Sequence, residues 1–379
     1  MTNWPDVATR HDPWDVIVLG AGPAGSIAAR QLALNSYHVL LIEKSRIPRF
    51  KVCGGCLSGA ALDVLAEVGL GDLPKKCGGV TFQKMRLASC GATAEIDIGE
   101  RIAVSREALD AALVEEATNA GATVCTETTG SVQSSDDAGS RSVLLRRHGV
   151  AVAVRAKAVV IATGLVSCSP EIQTKISPNS WVGLGAVTGP VFNDSAPGVL
   201  HMAWGAAGYV GIANVEDSRL DIAAAVNPRA LAAATSPGEL ISQILADSGL
   251  PVFVKLGDAI WRGTPLLTRH SLPLASRRCL LIGDAAGYVE PFTGEGIEWA
   301  MRSAILASTF LKSGLDQWNQ PSLDHWHMLH ERAFGGRQRQ CRRVVTLMRN
   351  KTVRRVALWS LQTAPRLARP FVQRLDHLN

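Results

Sequence analysis

The sequence predicts an α/β fold organised around a parallel sheet. Three observations predict it. An apolar run at 16–19 passes directly into Gly20-Ala21-Gly22-Pro23-Ala24-Gly25, and a second run at 39–42 follows a helical stretch. Further runs at 158–161 and 279–282 again end in small residues. Short continuous apolar runs that stop at glycine suit strands covered on both faces, as parallel strands are. With 379 residues, 47% hydrophobic and 35 glycines, the chain suits two or three domains with a large core and many tight turns. The opening MTNWPDVATRHDPWD has no basic flank leading into an apolar run, and no apolar stretch approaches the roughly 18–20 residues of a membrane helix. A cytoplasmic protein is expected, with its eight cysteines as thiols.

The first element is a Rossmann-like nucleotide cradle. Gly20 permits the tight turn, Gly22 lets backbone approach a pyrophosphate, and Gly25 lets the helix pack closely on the strand. The helix beginning near Ser26 then offers its free N–H groups to phosphate oxygens. Glu43, 18 residues beyond Gly25, is placed for a ribose diol. Gly20, Gly22, Ala24, Gly25, Glu43 and Lys44 are the candidate contacts here.

Next along the chain, a helix from about Arg106 leads into a strand, and a cation in a first helical turn requires a partner against the dipole. The run Ala158–Gly164 returns the chain to the nucleotide, bringing Gly164 with it. The last strand, Cys279–Ile282, runs into Gly283-Asp284 and then a turn containing Pro291, Thr293, Gly294 and Gly296 before a helix near Ile297. This pattern resembles the flavoprotein signature in which the aspartate binds the ribityl chain of FAD. The glycine turn and helix N-terminus then face the isoalloxazine and stabilise negative charge on the reduced ring.

The ordered set GAGPAGSIAA, PRFKVCGGCLSGAAL, VSREALDAAL, VVIATG and LLIGDAAGYVEPFTGEGIEWA resembles the flavoprotein superfamily that includes p-hydroxybenzoate hydroxylase, and within it the geranylgeranyl reductase family. The resemblance implies a discontinuous FAD-binding domain at 1–165 and 263–335 and an inserted β-sheet substrate domain at 166–262. A basic helical segment at 336–379 completes the chain. It also implies that Arg106 contacts FAD and that a loop carrying Cys53, Gly54 and Gly55 crosses the ring, with Cys53 as the candidate proton donor. Two departures stand out. Thr163-Gly164 occupies the place where many relatives carry Asp-Gly for FAD and pyridine nucleotide, and no tryptophan sits in a W-x-W-x-I-P halogenase signature.

The Cys53-Gly54-Gly55-Cys56 stretch leaves three readings open: a proton-donating or space-filling Cys53, a redox dithiol, and half of a metal site. No second C-x-x-C exists, so no metal is expected. The region 166–262 is rich in small apolar residues, which suits a hydrophobic or aromatic substrate. His201, Trp204 and Tyr209 are its polar-aromatic residues, and the HWHMLH run at 325–330 reads as a solvated helix. The segment from Gly336 onward carries ten Arg and one Lys against one Asp, while the remainder of the chain is net negative. Such a basic amphipathic stretch packs on the substrate domain, lies on an anionic membrane or receives an acidic carrier protein. Nucleic acid is not an expected partner. The expected activity is FAD-dependent oxidoreduction: reduction or dehydrogenation of a carbon–carbon bond in a polyprenyl- or polyketide-like substrate, with electrons from NAD(P)H or a reduced carrier. Aromatic hydroxylation and non-catalytic electron relay or redox sensing are the alternatives.

Overall fold

The computed structural model describes residues 7, 12–137, 139–189, 198–250, 256, 259–290 and 294–364, with backbone alone at 135–137. The first motif folds as strand β1 (Trp14–Leu19), helix α1 (Pro23–Ala33) and strand β2 (Val39–Ile42). β1 sits inside a sheet ordered Ala275–Ser276, Cys279–Leu281, Val150–Ile161, β1, β2, Thr123–Cys125. From Cys279–Leu281 onward every neighbouring pair is parallel, with Val18 facing Val160 on one side and Leu41 on the other. Val16, Ile17 and Val18 are fully buried, the reason the sequence there is β-branched rather than alternating. α1 packs against helices α2 (Arg106–Asn119) and α3 (Gly296–Gly314), and the strands' carboxyl ends converge where Leu19, Ile42 and Ala162 meet the main cavity.

A second sheet of eight strands lies beside the first. Its order is Arg262–Leu266, Val182–Val187, Leu220–Val226, Gly208–Asn214, Val199–Trp204, β3 (Val80–Ser89), β4 (Ala92–Ala103) and Cys56–Leu57. β3 and β4 fall in the stretch assigned from sequence to the FAD-binding part, yet they pair into this sheet. β3 joins the inserted strands by parallel pairing, with Leu87 opposite Met202. In β4, Ala94, Ile96 and Ile98 are buried and Thr93, Glu95 and Asp97 exposed, the period of two that one covered face requires.

Helix α4 (Gln320–His330) also departs from expectation. Its outer face is solvated, with Asp324, His325 and Met328 exposed, but it buries Trp326 completely and His330 largely, and His327 Nε2 accepts the Leu274 N–H at 3.1 Å. Burial pushes His330 down to about 4, so the ring stays neutral. Among the described residues no group of His, Cys, Asp or Glu could hold a metal ion.

The basic segment forms helices α5 (Gly336–Met348) and α6 (Lys351–Thr363), and α6 packs on β3 and β4. Arg354 is buried there, donating to the Ser89 hydroxyl at 3.0 Å and to the carbonyls of Met348 and Arg349. At the α5–α6 corner Arg349 lies over the Trp181 ring at 4.1 Å and donates to Glu290 at 3.1 Å. No helix among the described residues is long and apolar enough to cross a membrane.

Candidate active site

One cavity of about 1150 Å3 is lined by residues from both sheets and from α5 and α6. A pocket for one drug-sized ligand holds about 300–1,000 Å3, so this space can take a large cofactor with part of a substrate. At one end lie Gly20, Gly22, Ala24, Glu43, Lys44, Arg106, Gly164 and Asp284, with Gly294, Gly296 and Ile297 at the start of α3. Gly25 is not in the wall. It serves packing, because a Cβ there would overlap the Gly20 carbonyl oxygen, and Gly20 itself takes a φ of +103°. Pro291 lies outside the described residues.

The helix termini suit phosphate and a reduced ring. α1 begins at Gly22 with Pro23 in its first turn and no side-chain cap, and α3 likewise begins without one. Uncapped N-termini leave backbone donors for a ligand. Glu43 accepts from the N–H groups of Ala21 (3.1 Å) and Ser45 (3.0 Å) and from Arg49 (3.1 Å). A carboxylate has about four acceptor sites, so one remains for a ribose hydroxyl.

Sequence reasoning missed three partners of this end. Arg106 finds its counter-charge in Asp110, which it grips with two bonds of 2.8 and 2.7 Å, and Arg49 joins from the other side at 2.8 Å. The four-residue spacing of Arg106 and Asp110 on one helix face was a legible signal. Burial alone would raise the Asp110 carboxyl, and Arg106, Arg49 and Lys51 hold it below its usual range. Lys51, the lysine of K-x-C-G-G, faces the cavity interior. With Arg106 Nη2 it lies within 4.0 Å of where a Gly22 side chain would begin. Burial, then the Arg106 charge, pushes its ammonium down, against the pull of Asp284. A cation held at such a disadvantage beside an uncapped helix start fits a pyrophosphate, whose charge would restore it.

The C-G-G-C loop lies where the two ends of the cavity meet. Gly54 lines it, whereas Gly55 does not: its φ is +61° and a Cβ would strike the Val104 carbonyl. Of the two glycines expected to clear a flat ring, only Gly54 is placed for it. Cys53 and Cys56 are both free and both face the cavity, and Cys56 Sγ donates to the Gly54 carbonyl at 3.1 Å. Burial pushes both thiols up, with Arg106 pulling Cys53 part of the way back. Beneath the loop Asp221 is buried, its carboxyl raised first by burial and then by Glu216. Beyond the loop the wall turns apolar, with Phe82, Met85, Leu87, Ile96, Met202 and Leu361. Tyr209 lines this end, while His201 and Trp204 are buried away from it.

Comparison with known proteins supports FAD as the cofactor. A family model described as an FAD binding domain matches residues 13–196. Digeranylgeranylglycerophospholipid reductase of Methanocaldococcus jannaschii is 26% identical over 83% of this chain and 82% of its own. Menaquinone reductase of Mycobacterium tuberculosis is 26% identical over 80% of this chain and 77% of its own. The chain is a flavoprotein similar to the geranylgeranyl reductases. It is an FAD-dependent oxidoreductase. The flavoprotein is also 26% identical to conditioned medium factor receptor 1 of Dictyostelium discoideum over 82% of this chain, and spans 65% of that protein's length. Among solved structures, a flavin-dependent brominase superposes with a TM-score of 0.78 at 18% identity, covering 96% of this chain and 93% of the brominase, a likeness of fold.

Proposed function

We propose that the flavoprotein reduces, or in reverse desaturates, a carbon–carbon bond of a polyprenyl-like lipid. The observation that carries this reading is the apolar chamber itself. It opens from the cofactor end at Cys53 and is walled by aliphatic side chains of β3, β4 and α6. The reductases of digeranylgeranylglycerophospholipid and menaquinone named above act, by those names, on molecules with long apolar parts, which supports the same substrate class.

Bound FAD would supply the hydride chemistry, held by Gly20–Ala24, Glu43, Arg106, Lys51, Asp284 and the start of α3. The chain's own contribution is to exclude water with its apolar wall and to keep a proton on the Cys53 thiol, which burial stabilises in the neutral form. At that place in the cavity wall the thiol would give its proton to the double-bond carbon that does not receive hydride, leaving a thiolate that the Arg106 charge favours. The same raised thiols argue against a Cys53–Cys56 dithiol relay, because exchange requires thiolate.

The test is single turnover without air: chemically reduced protein, a geranylgeranyl lipid in detergent, and mass spectrometry of the product. Addition of two hydrogens per double bond is the expected result, and a Cys53→Ala variant should keep its FAD while losing about 100-fold or more of the rate, the usual weight of a positioned acid. Lipid recovered unchanged, while an aromatic substrate gains oxygen when air is admitted, would move the assignment to hydroxylation.

A further inference from the structure

Helices α5 and α6 and the corner between them contain seven arginines and one lysine and no carboxylate. Four of these cations are internal to the fold or paired: Arg337 bonds Glu298 at 2.9 Å, Arg339 pairs with Glu331, and Arg349 and Arg354 make the contacts described above. The other four, Arg342, Arg343, Lys351 and Arg355, are exposed and enter no ion pair among the described residues. Interleaved with them on the same outward face are Leu347, Val356 and Trp359, exposed by 57%, 57% and 64%. Thr352, Arg355, Val356 and Trp359 follow the spacing of one helix face, opposite the face that places Ala357 and Leu361 in the cavity wall.

We infer that this outward face of α5 and α6 docks the protein on an anionic phospholipid surface. Two observations select a bilayer as the occupant. Unpaired cations alternating with an exposed tryptophan and aliphatic residues are what an interfacial helix presents to headgroups and the acyl boundary. The two helices are also the wall of the apolar chamber: Val344, Met348, Ala357 and Leu361 face inward from the same helices whose other face carries the docking residues. A lipid substrate leaving the bilayer therefore meets the chamber across a wall one helix thick.

The experiment uses the full flavin-loaded chain and sedimentation with vesicles of phosphatidylglycerol and phosphatidylcholine, against vesicles of phosphatidylcholine alone. Binding to the anionic vesicles that weakens with salt is expected. The combined variant Arg342→Gln, Arg343→Gln, Lys351→Gln, Arg355→Gln should bind them at least tenfold less, since each cation near an anionic surface is worth about fivefold. Trp359→Ser should also weaken binding while leaving flavin content unchanged. Equal binding to both vesicle types, no binding to either, or undiminished binding by the four-residue variant would overturn the inference. Reduction of a short, water-soluble prenyl compound is measured in parallel. Docking lost with that turnover intact isolates the surface, whereas docking intact with no turnover on any prenyl compound counts against the catalytic reading alone.

Discussion

Glu290 allows a quantitative test of how the helical corner is held to the fold. Its side chain is completely buried and accepts from Arg349 at 3.1 Å and from Tyr209. Burial outweighs that cation and pushes the carboxyl up to about 7 from 4.5. At about 1.4 kcal/mol per pH unit, this interval corresponds to about 3 kcal/mol of folding free energy. The sign follows from where the proton sits. Between those two values the folded protein keeps a proton that the unfolded chain has released, so the stability is fully present below about pH 4.5 and is lost as pH rises through about 7. In Glu290→Gln the titration is gone. The unfolding free energy of the native protein minus that of the variant should therefore fall by about 3 kcal/mol from about pH 4.5 to about pH 8. His330, held neutral at about 4, acts in the opposite sense but is present in both proteins and cancels. Urea unfolding at several pH values, followed by tryptophan fluorescence, reads the difference directly. A flat or rising difference would refute the reasoning, because it would mean that Arg349 keeps the carboxylate ionised throughout.

Other changes probe the cofactor end and the chamber. Gly25→Ala forces a Cβ onto the Gly20 carbonyl, so the purified variant should carry far less flavin per polypeptide, measured by absorbance after denaturation. Arg106→Met takes from Asp110 its two-bond partner, leaving only the charges of Arg49 and Lys51, and should destabilise by about 3 kcal/mol in urea unfolding, partly restored when Asp110→Asn removes the undercompensated charge. Met202→Trp adds bulk to the apolar wall and should raise KM for long prenyl chains more than for short ones, with the flavin spectrum unchanged.

The strand, glycine turn, helix and acid at Trp14–Glu43 were readable because each element follows from local backbone demands: apolar β-branched residues for a covered strand, no Cβ at Gly20 and Gly25, and free N–H groups after Gly22. The second sheet was harder. β3 pairs with Val199–Trp204, more than 100 residues away, and nothing in either stretch names its partner. The alternation of Ala94, Ile96 and Ile98 with Thr93, Glu95 and Asp97 in β4 is the sequence signal that could have found it. The ion cluster was half legible, since Arg106 demanded a partner and Asp110 stood one turn away, while Arg49 arrives through a loop whose path depends on the whole fold. α4 misled because its histidines suggested water, yet Trp326 decides the buried face by its area alone.

In the order of the chain, α5 and α6 follow every described strand of both sheets, yet they form part of the chamber wall. A ribosome adding about 5–20 residues per second therefore completes the cradle and both sheets before the last wall exists. For that interval the nascent protein is an open trough, with Met85, Leu87 and Ile96 uncovered. Cofactor can enter a site that is later enclosed, and the greasy floor is at its most exposed to aggregation just before synthesis reaches the arginine-rich helices that cover it.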